Sequence, residues 1–172
     1  MKRKILSSIM ALVMIVSMLP FSVFAEEGDT WAESASTEWY TGDGDEYTIS
    51  SAADLAGLAQ LVNGGTSFQK KTIKLGENID LEGKEWTPIG RNGKPFQGTF
   101  DGQGNTISNL KITGNSSDVG LFGFTTGGEI KDFTLNNAQV EGYLDVGAVA
   151  GTPYTSKYTN INVTGLIQVD GY

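Results

Sequence analysis

Asp101, inside "GTFDGQGN" (residues 98 to 105), is the acid whose neighbours most invite chemistry. A Gly-rich loop with an acid could cradle a phosphate on its backbone amides or hold a metal, and Asp101 with Lys111 or Arg91 could be part of a site acting on polysaccharide. Glycoside hydrolysis asks for two positioned carboxylates. The candidates for a second are Asp80, Asp118 and Asp132, and no spacing among them fixes a pair. The same residue types are what a chain uses to turn sharply between strands, so we expect Asp101 at a corner. Trp86, with Pro88 and Phe96, could stack on a sugar ring, but a large aromatic in a thin strand-rich chain is expected to pack. Trp86 and Asp101 stand as the two candidate ligand contacts. "GQGNTI" from Gly102 is an incomplete G-x-G-x-x-G, with Ile107 in place of the last Gly and a strand following, so no helix N-terminus is there for a phosphate. "DGDE" from Asp43 lacks the spacing of a calcium loop and reads as a solvated turn.

Composition narrows the chemistry further. The 172 residues contain no Cys and no His, which removes disulfides, thiolate catalysis, triads that need His and the usual zinc sites. No catalytic, cofactor-binding or metal-binding residue is assigned, and no cofactor is expected. Lys and Arg number 12 against 20 Asp and Glu, a net charge of −8. Nucleic acid is a poor partner for such a chain.

Residues 1 to 25 carry Lys2, Arg3 and Lys4, then the apolar "ILSSIMALVMIVSML", then "SVFA" with small residues at Val23 and Ala25. This is the layout of a secretory signal cleaved after Ala25. A retained membrane anchor is the second reading, disfavoured by Pro20 and by the polar "EEGDT" that follows. Residues 26 to 46 form an acidic leader expected to gain order near Trp39. Residues 47 to 172 remain as one strand-rich domain. It begins with the one clear helix, "SSAADLAGLAQLVNGG". There Ser51 can cap, Leu55, Leu58, Ala59 and Val62 share a face, and Gly64 stops the chain. That helix is expected to cap one end of the sheet.

From residue 72 the pattern changes to period two, in short runs such as "TIKL", "IDL", "TISNLKI" and "EIKDFTL" separated by Gly, Asn and Asp. Two motifs recur in the same order. "ISNLKI" at Ile107, "IKDFTL" at Ile130 and "YTNINV" at Tyr158 superimpose, making Asn109, Asp132 and Asn160 equivalent and Ile107 a corner residue. "VGLFG" (Val119 to Gly123) returns as "VGAVAG" (Val146 to Gly151), in phase with the first motif. Recurrence at a period of roughly 20–30 residues implies a parallel β-solenoid, one turn stacked on the next. Gly120, Gly123, Gly147 and Gly151 would be the crowded bends, and Leu121 and Phe122 the groups pointing inward.

These segments together, over residues 39 to 172, resemble the GLUG-repeat proteins of bacterial cell surfaces, named for a Gly-Leu-hydrophobic-Gly motif. "GLFG" at Gly120 to Gly123 is its cleanest copy. "GAVAG" departs by an extra residue and an Ala, and "KDFTL" has Asp132 and Phe133 where Asn and Leu are usual. The resemblance implies a right-handed parallel β-helix in an exported, often wall-attached protein. It also implies a setting within a larger adhesin-like chain, or ahead of a protease such as the IgA-specific metalloendopeptidases. It implies no catalytic set. The expected function is that of an exported, non-catalytic surface scaffold or adhesin-type module meeting a surface glycan or host protein. The alternatives are the front of a secreted protease or a β-helix polysaccharide-active enzyme. Membrane contact is expected only through the signal. The final "GLIQVDGY" stops on a strand, so a longer parent chain or end-to-end association is expected there.

Overall fold

Ser51 and Asp54 start the α-helix as their spacing predicts. The structure, a computed structural model, describes residues 29–169; the signal and its cleavage site lie outside the described residues. In α1 (Ala52–Gly64) the Ser51 hydroxyl accepts from the Asp54 amide at 3.1 Å, and the Asp54 carboxylate accepts from the Ser50 amide at 3.3 Å. Leu55, Leu58, Ala59 and Val62 are buried. The stop falls just after the expected position. Gly65, not Gly64, takes the left-handed backbone (φ 122°) and returns its N–H to Leu61 and Val62, an arrangement open to a residue without Cβ. Two cations then sit on the orphan carbonyls of the last turn, with Arg91 donating to Asn63 and Lys94 to Gly64.

Packing also begins earlier than the leader's composition suggests. Trp31, in a short 3-10 helix (Trp31–Ser34), is 9% exposed. Its indole N–H donates to Leu81 O at 2.7 Å, and the Lys84 ammonium lies 4.6 Å from its ring centre.

Twelve strands are present among the described residues, and α1 is the sole α-helix there. All named strand pairs are parallel. β1 (Glu46–Ile49) pairs with β2 (Thr72–Leu75), and β2 with β4 (Thr99–Asp101). β4 pairs in turn with the front of the long β9 (Glu129–Gly142), and β9 with β12 (Lys157–Val169). A second series runs from β3 (Ile79–Asp80) to β5 (Thr106–Ser108) to the middle of β9, while β6 (Lys111–Ile112) meets its end. Two further pairs join β7 (Ser117–Val119) to β10 (Leu144–Val146) and β8 (Phe122–Thr126) to β11 (Ala150–Tyr154). Along one face Glu46 stands beside Thr72, Thr72 beside Thr99, Thr99 beside Glu129, and Glu129 beside Lys157. The chain therefore lays down a new parallel layer at a nearly fixed interval.

Each layer contributes apolar side chains to one core. Ile73, Phe100 and Ile130 form one buried row and Ile79, Ile107 and Leu135 another. Aromatic rings link the layers through Phe68, Phe96, Phe122, Phe100 and Phe133, with centroids 5.3 to 6.2 Å apart.

The register corrects part of the repeat alignment. Tyr158 does stand beside Ile130, Ile161 beside Phe133 and Val163 beside Leu135. Ile107, however, pairs with Leu135 and Ile112 with Val140, not with Ile130 and Leu135. Ile107 is fully buried inside β5, and the corner lies after it at Asn109. The confusion has a physical cause. Asp132 and Asn137 both take left-handed backbone (φ 58° and 54°), so this layer has two corners written as apolar-x-Asn/Asp-apolar-x-apolar. "IKDFTL" at Ile130 is the first such corner of its layer, and "ISNLKI" at Ile107 matches the second, "LNNAQV" at Leu135.

Candidate functional site

Asp101 is 8% exposed at the end of β4, where Gln103 (φ 54°) and Gly104 (φ 79°) turn the chain into β5. Its Oδ1 accepts from the Gln103 amide at 3.0 Å, and its Oδ2 from the Lys131 ammonium at 2.7 Å. Gly102 to Asn105 therefore form the corner expected, with Phe100 in β4 before it and Ile107 in β5 after it. Burial pushes the Asp101 carboxyl up, but the Lys131 hydrogen bond, the Gln103 amide and the Lys131 charge together outweigh it and hold the group below its ordinary value. Lys131 bridges on to Asp132 Oδ2 at 3.0 Å, and the two carboxylates in turn push its pKa up.

Of the three candidate second carboxylates, Asp132 alone shares a partner with Asp101. Asp80 accepts from Asn109 at 2.7 Å and from the Glu82 amide at 2.8 Å, and Asp118 accepts from the Thr152 hydroxyl. Arg91 is spent on the end of α1, and Lys111 lines a shallow groove with Asp29, Glu82 and Glu85. The cation that does pair with Asp101, Lys131, carries no signal of that role in the sequence. Only the register of β4 on β9, which sets Asp101 beside Lys131, reveals it.

Corners of successive layers are tied by side chains. Asn137 donates to Asn109 at 2.7 Å and Asn109 to Asp80 at 2.7 Å, while Asn160 donates to Asp132 at 2.9 Å. Asn109 belongs to the first of these ladders, apart from Asp132 and Asn160. In both, the later layer donates and a carboxylate ends the row. That leaves the acids as acceptors, and the Asn109 hydrogen bond lowers the Asp80 pKa.

The glycine motif marks close approaches. A Cβ on Gly120 would lie 2.2 Å from Gly147 O, and one on Gly123 would lie 2.4 Å from Gly90 O. Gly147 and Gly151 are equally crowded by Ala150 O at 2.2 Å and by the Asp118 carbonyl carbon at 2.5 Å. Leu121 and Phe122 are fully buried. The extra residue of "GAVAG" is absorbed in the register. Val146 stands beside Val119 and Ala150 beside Phe122, so the interval between layers lengthens by a single position across the motif.

Trp86 packs: it is 3% exposed and donates its indole N–H to Leu121 O at 3.1 Å. Its ring also forms one wall of a cleft of about 340 Å³ between α1 and the first layers, opposite Trp31, with Gln60, Asn63 and Thr87 at the rim. Asn63 donates to Pro88 O at 3.0 Å, and its own Oδ1 is buried without a hydrogen-bond partner. Charged side chains do not line this cleft.

These features define a strand-rich chain whose parallel layers share one core with α1. Among the described residues no group of three or more His, Cys, Asp or Glu is placed to hold a metal ion, and no helix is long and apolar enough to cross a membrane. Compared with known proteins, the chain is similar to Halomucin of Haloquadratum walsbyi (strain DSM 16790 / HBSQ001), at 36% identity over 151 residues. The match takes in 78% of this chain and 2% of Halomucin, so the chain spans a small fraction of that relative's length. No protein-family model matches the chain, and no solved structure matches it.

Proposed function

We propose that this chain is an exported, non-catalytic display module: a right-handed parallel β-solenoid of the GLUG type that presents its outer faces at the cell surface as a scaffold or adhesin-type segment. The observation that carries the reading is the parallel pairing at near-constant intervals, from β1 through β2, β4 and β9 to β12. A chain laid down in this way makes stiff outer faces from short polar positions while the core stays the same from layer to layer. The likeness to Halomucin adds support, since its name is that of a mucin, a class of surface-coating protein. Asp101 belongs to the scaffold in this reading, because its carboxylate is committed to a corner amide and to Lys131. The ligand is a surface glycan or a host protein met by the outer faces.

Surface display is tested on intact source cells with an antibody to the folded domain. The module is expected to be labelled on unbroken cells, lost after brief external protease treatment, and to begin after Ala25. Protein found only inside broken cells with Met1 retained sinks the proposal.

A further inference from the structure

Between α1 and the first layers lies a cleft that the scaffold does not fill. Its volume is about 340 Å³, with Trp31 and Trp86 as aromatic walls, which puts it at the small end of the range for ligand sites. Both rings are fixed, since their indole N–H groups donate to Leu81 O and Leu121 O. Ala56 and Ala59, three positions apart on α1, line the cleft with single methyl groups, where larger side chains would close the space. The chain leading into Trp31 does not enter it: Asp29 and Thr30 run beside Glu85, whose amide donates to Asp29 O at 3.2 Å.

The lining selects what can enter. No charged side chain lines the cleft, and the protein as a whole carries −8, so an anion finds no counter-charge there and a cation no carboxylate. A neutral ligand suits it. The Gln60 amide and the Thr87 hydroxyl, exposed at the rim, both donate and accept hydrogen bonds. Asn63, whose Nδ2 is spent on Pro88 O, keeps an Oδ1 that is buried without a partner. A ligand with several hydroxyls answers these groups, whereas an apolar side chain of a partner protein leaves them unmet. Trp31 and Trp86 are 9% and 3% exposed, so each offers a strip of ring and not an open platform. That favours one ring inserted from the end of a chain, its C–H groups against indole and its hydroxyls at the rim.

We propose that this cleft binds the terminal, uncharged sugar ring of a glycan, with Trp31 and Trp86 as walls and Gln60, Asn63 and Thr87 as hydrogen-bonding partners. It deepens the glycan contact of the display reading and rests on that reading for the glycan's source alone; binding by the purified chain is judged apart from surface labelling.

The protein has three tryptophans, and their indole N–H signals in a nitrogen–proton NMR spectrum of the signal-free chain report on the cleft directly. Titration with a panel of neutral methyl glycosides is expected to shift the Trp31 and Trp86 signals, saturating in the millimolar range. Trp39, which does not line the cleft, is expected to stay in place. Methyl glycosides of uronic acids are expected to bind about tenfold more weakly or not at all. Gln60→Ala, at an exposed position, should weaken binding about fivefold with the melting temperature unchanged, and Ala59→Leu should abolish it by filling the space. No shift with any neutral glycoside at about 100 mM, equal binding of the charged sugars, undiminished binding by Gln60→Ala, or a response to cyclohexanol as strong as to any glycoside overturns the proposal. If Ala59→Leu does not fold, the glycoside series on the unaltered chain and on Gln60→Ala decides.

Discussion

At Asn109 the backbone is left-handed (φ 58°) and the side chain both gives and takes a hydrogen bond between layers. Those two contributions separate by substitution. Asn109→Gly keeps the conformation and loses the ladder, whereas Asn109→Ala loses both, at about 1–2 kcal/mol for the backbone alone. Urea unfolding should therefore rank the native chain above Gly and Gly above Ala by about that margin; equal Gly and Ala variants would mean that backbone geometry contributes nothing here. Asp101 gives a pH test. Its folded pKa is depressed, so its ion pair adds stability above about pH 4, and that contribution is lost as pH falls through the folded value. Asp101→Asn should cost about 1–2 kcal/mol near neutral pH, with the two melting curves converging in strong acid. A gap that persists there contradicts the Lys131 pairing. The corner role of Asp101 was legible from "FDGQGN" alone. Its partner was not, since Lys131 lies a whole layer further along the chain and only the strand register brings it close.

For single elements, α1 is the part that sequence describes best. The cap at Ser51 and the buried stripe depend on neighbours within one or two turns, and the structure moves the stop only from Gly64 to Gly65. What spacing could not convey is how tightly the helix lies on the leader. Gly57 is buried in α1, and a Cβ there would stand 1.8 Å from Ser36 O. Gly→Ala in a helix interior ordinarily stabilises by about 0.5–1 kcal/mol. Here Gly57→Ala is expected to destabilise by about 2 kcal/mol or more, because the backbone of Ser36 must move; a raised melting temperature would contradict the packing. Gly123→Ala should behave alike, with its Cβ meeting Gly90 O at 2.4 Å and Asp118 O at 2.8 Å. The glycines of "GLFG" thus stand where neighbouring backbone comes close; the sequence marks them as crowded bends without saying which backbone crowds them.

Across the whole molecule, the strand-rich class and a repeat of roughly 20–30 residues were legible because short period-two runs recur between Gly, Asn and Asp. The true register was not, because the two corners of a layer share one local grammar. Setting Ile107 on Ile130 satisfies that grammar nearly as well as setting it on Leu135, where it in fact lies. Burial resolves the ambiguity: Ile107 and Leu110 are both fully buried, with Asn109 between them resetting the alternation. If each layer sits parallel on the one before it, two introduced thiols can report the register directly, because the protein has no cysteine of its own. Ser108 stands beside Asn136, at a spacing between neighbouring strands of about 4.8 Å. In the signal-free chain, Ser108→Cys with Asn136→Cys should cross-link rapidly and fully with a short bifunctional thiol reagent, and Ser108→Cys with Lys131→Cys should not. Efficient linkage of the second pair with none in the first would contradict this register and set Ile107 on Ile130 instead.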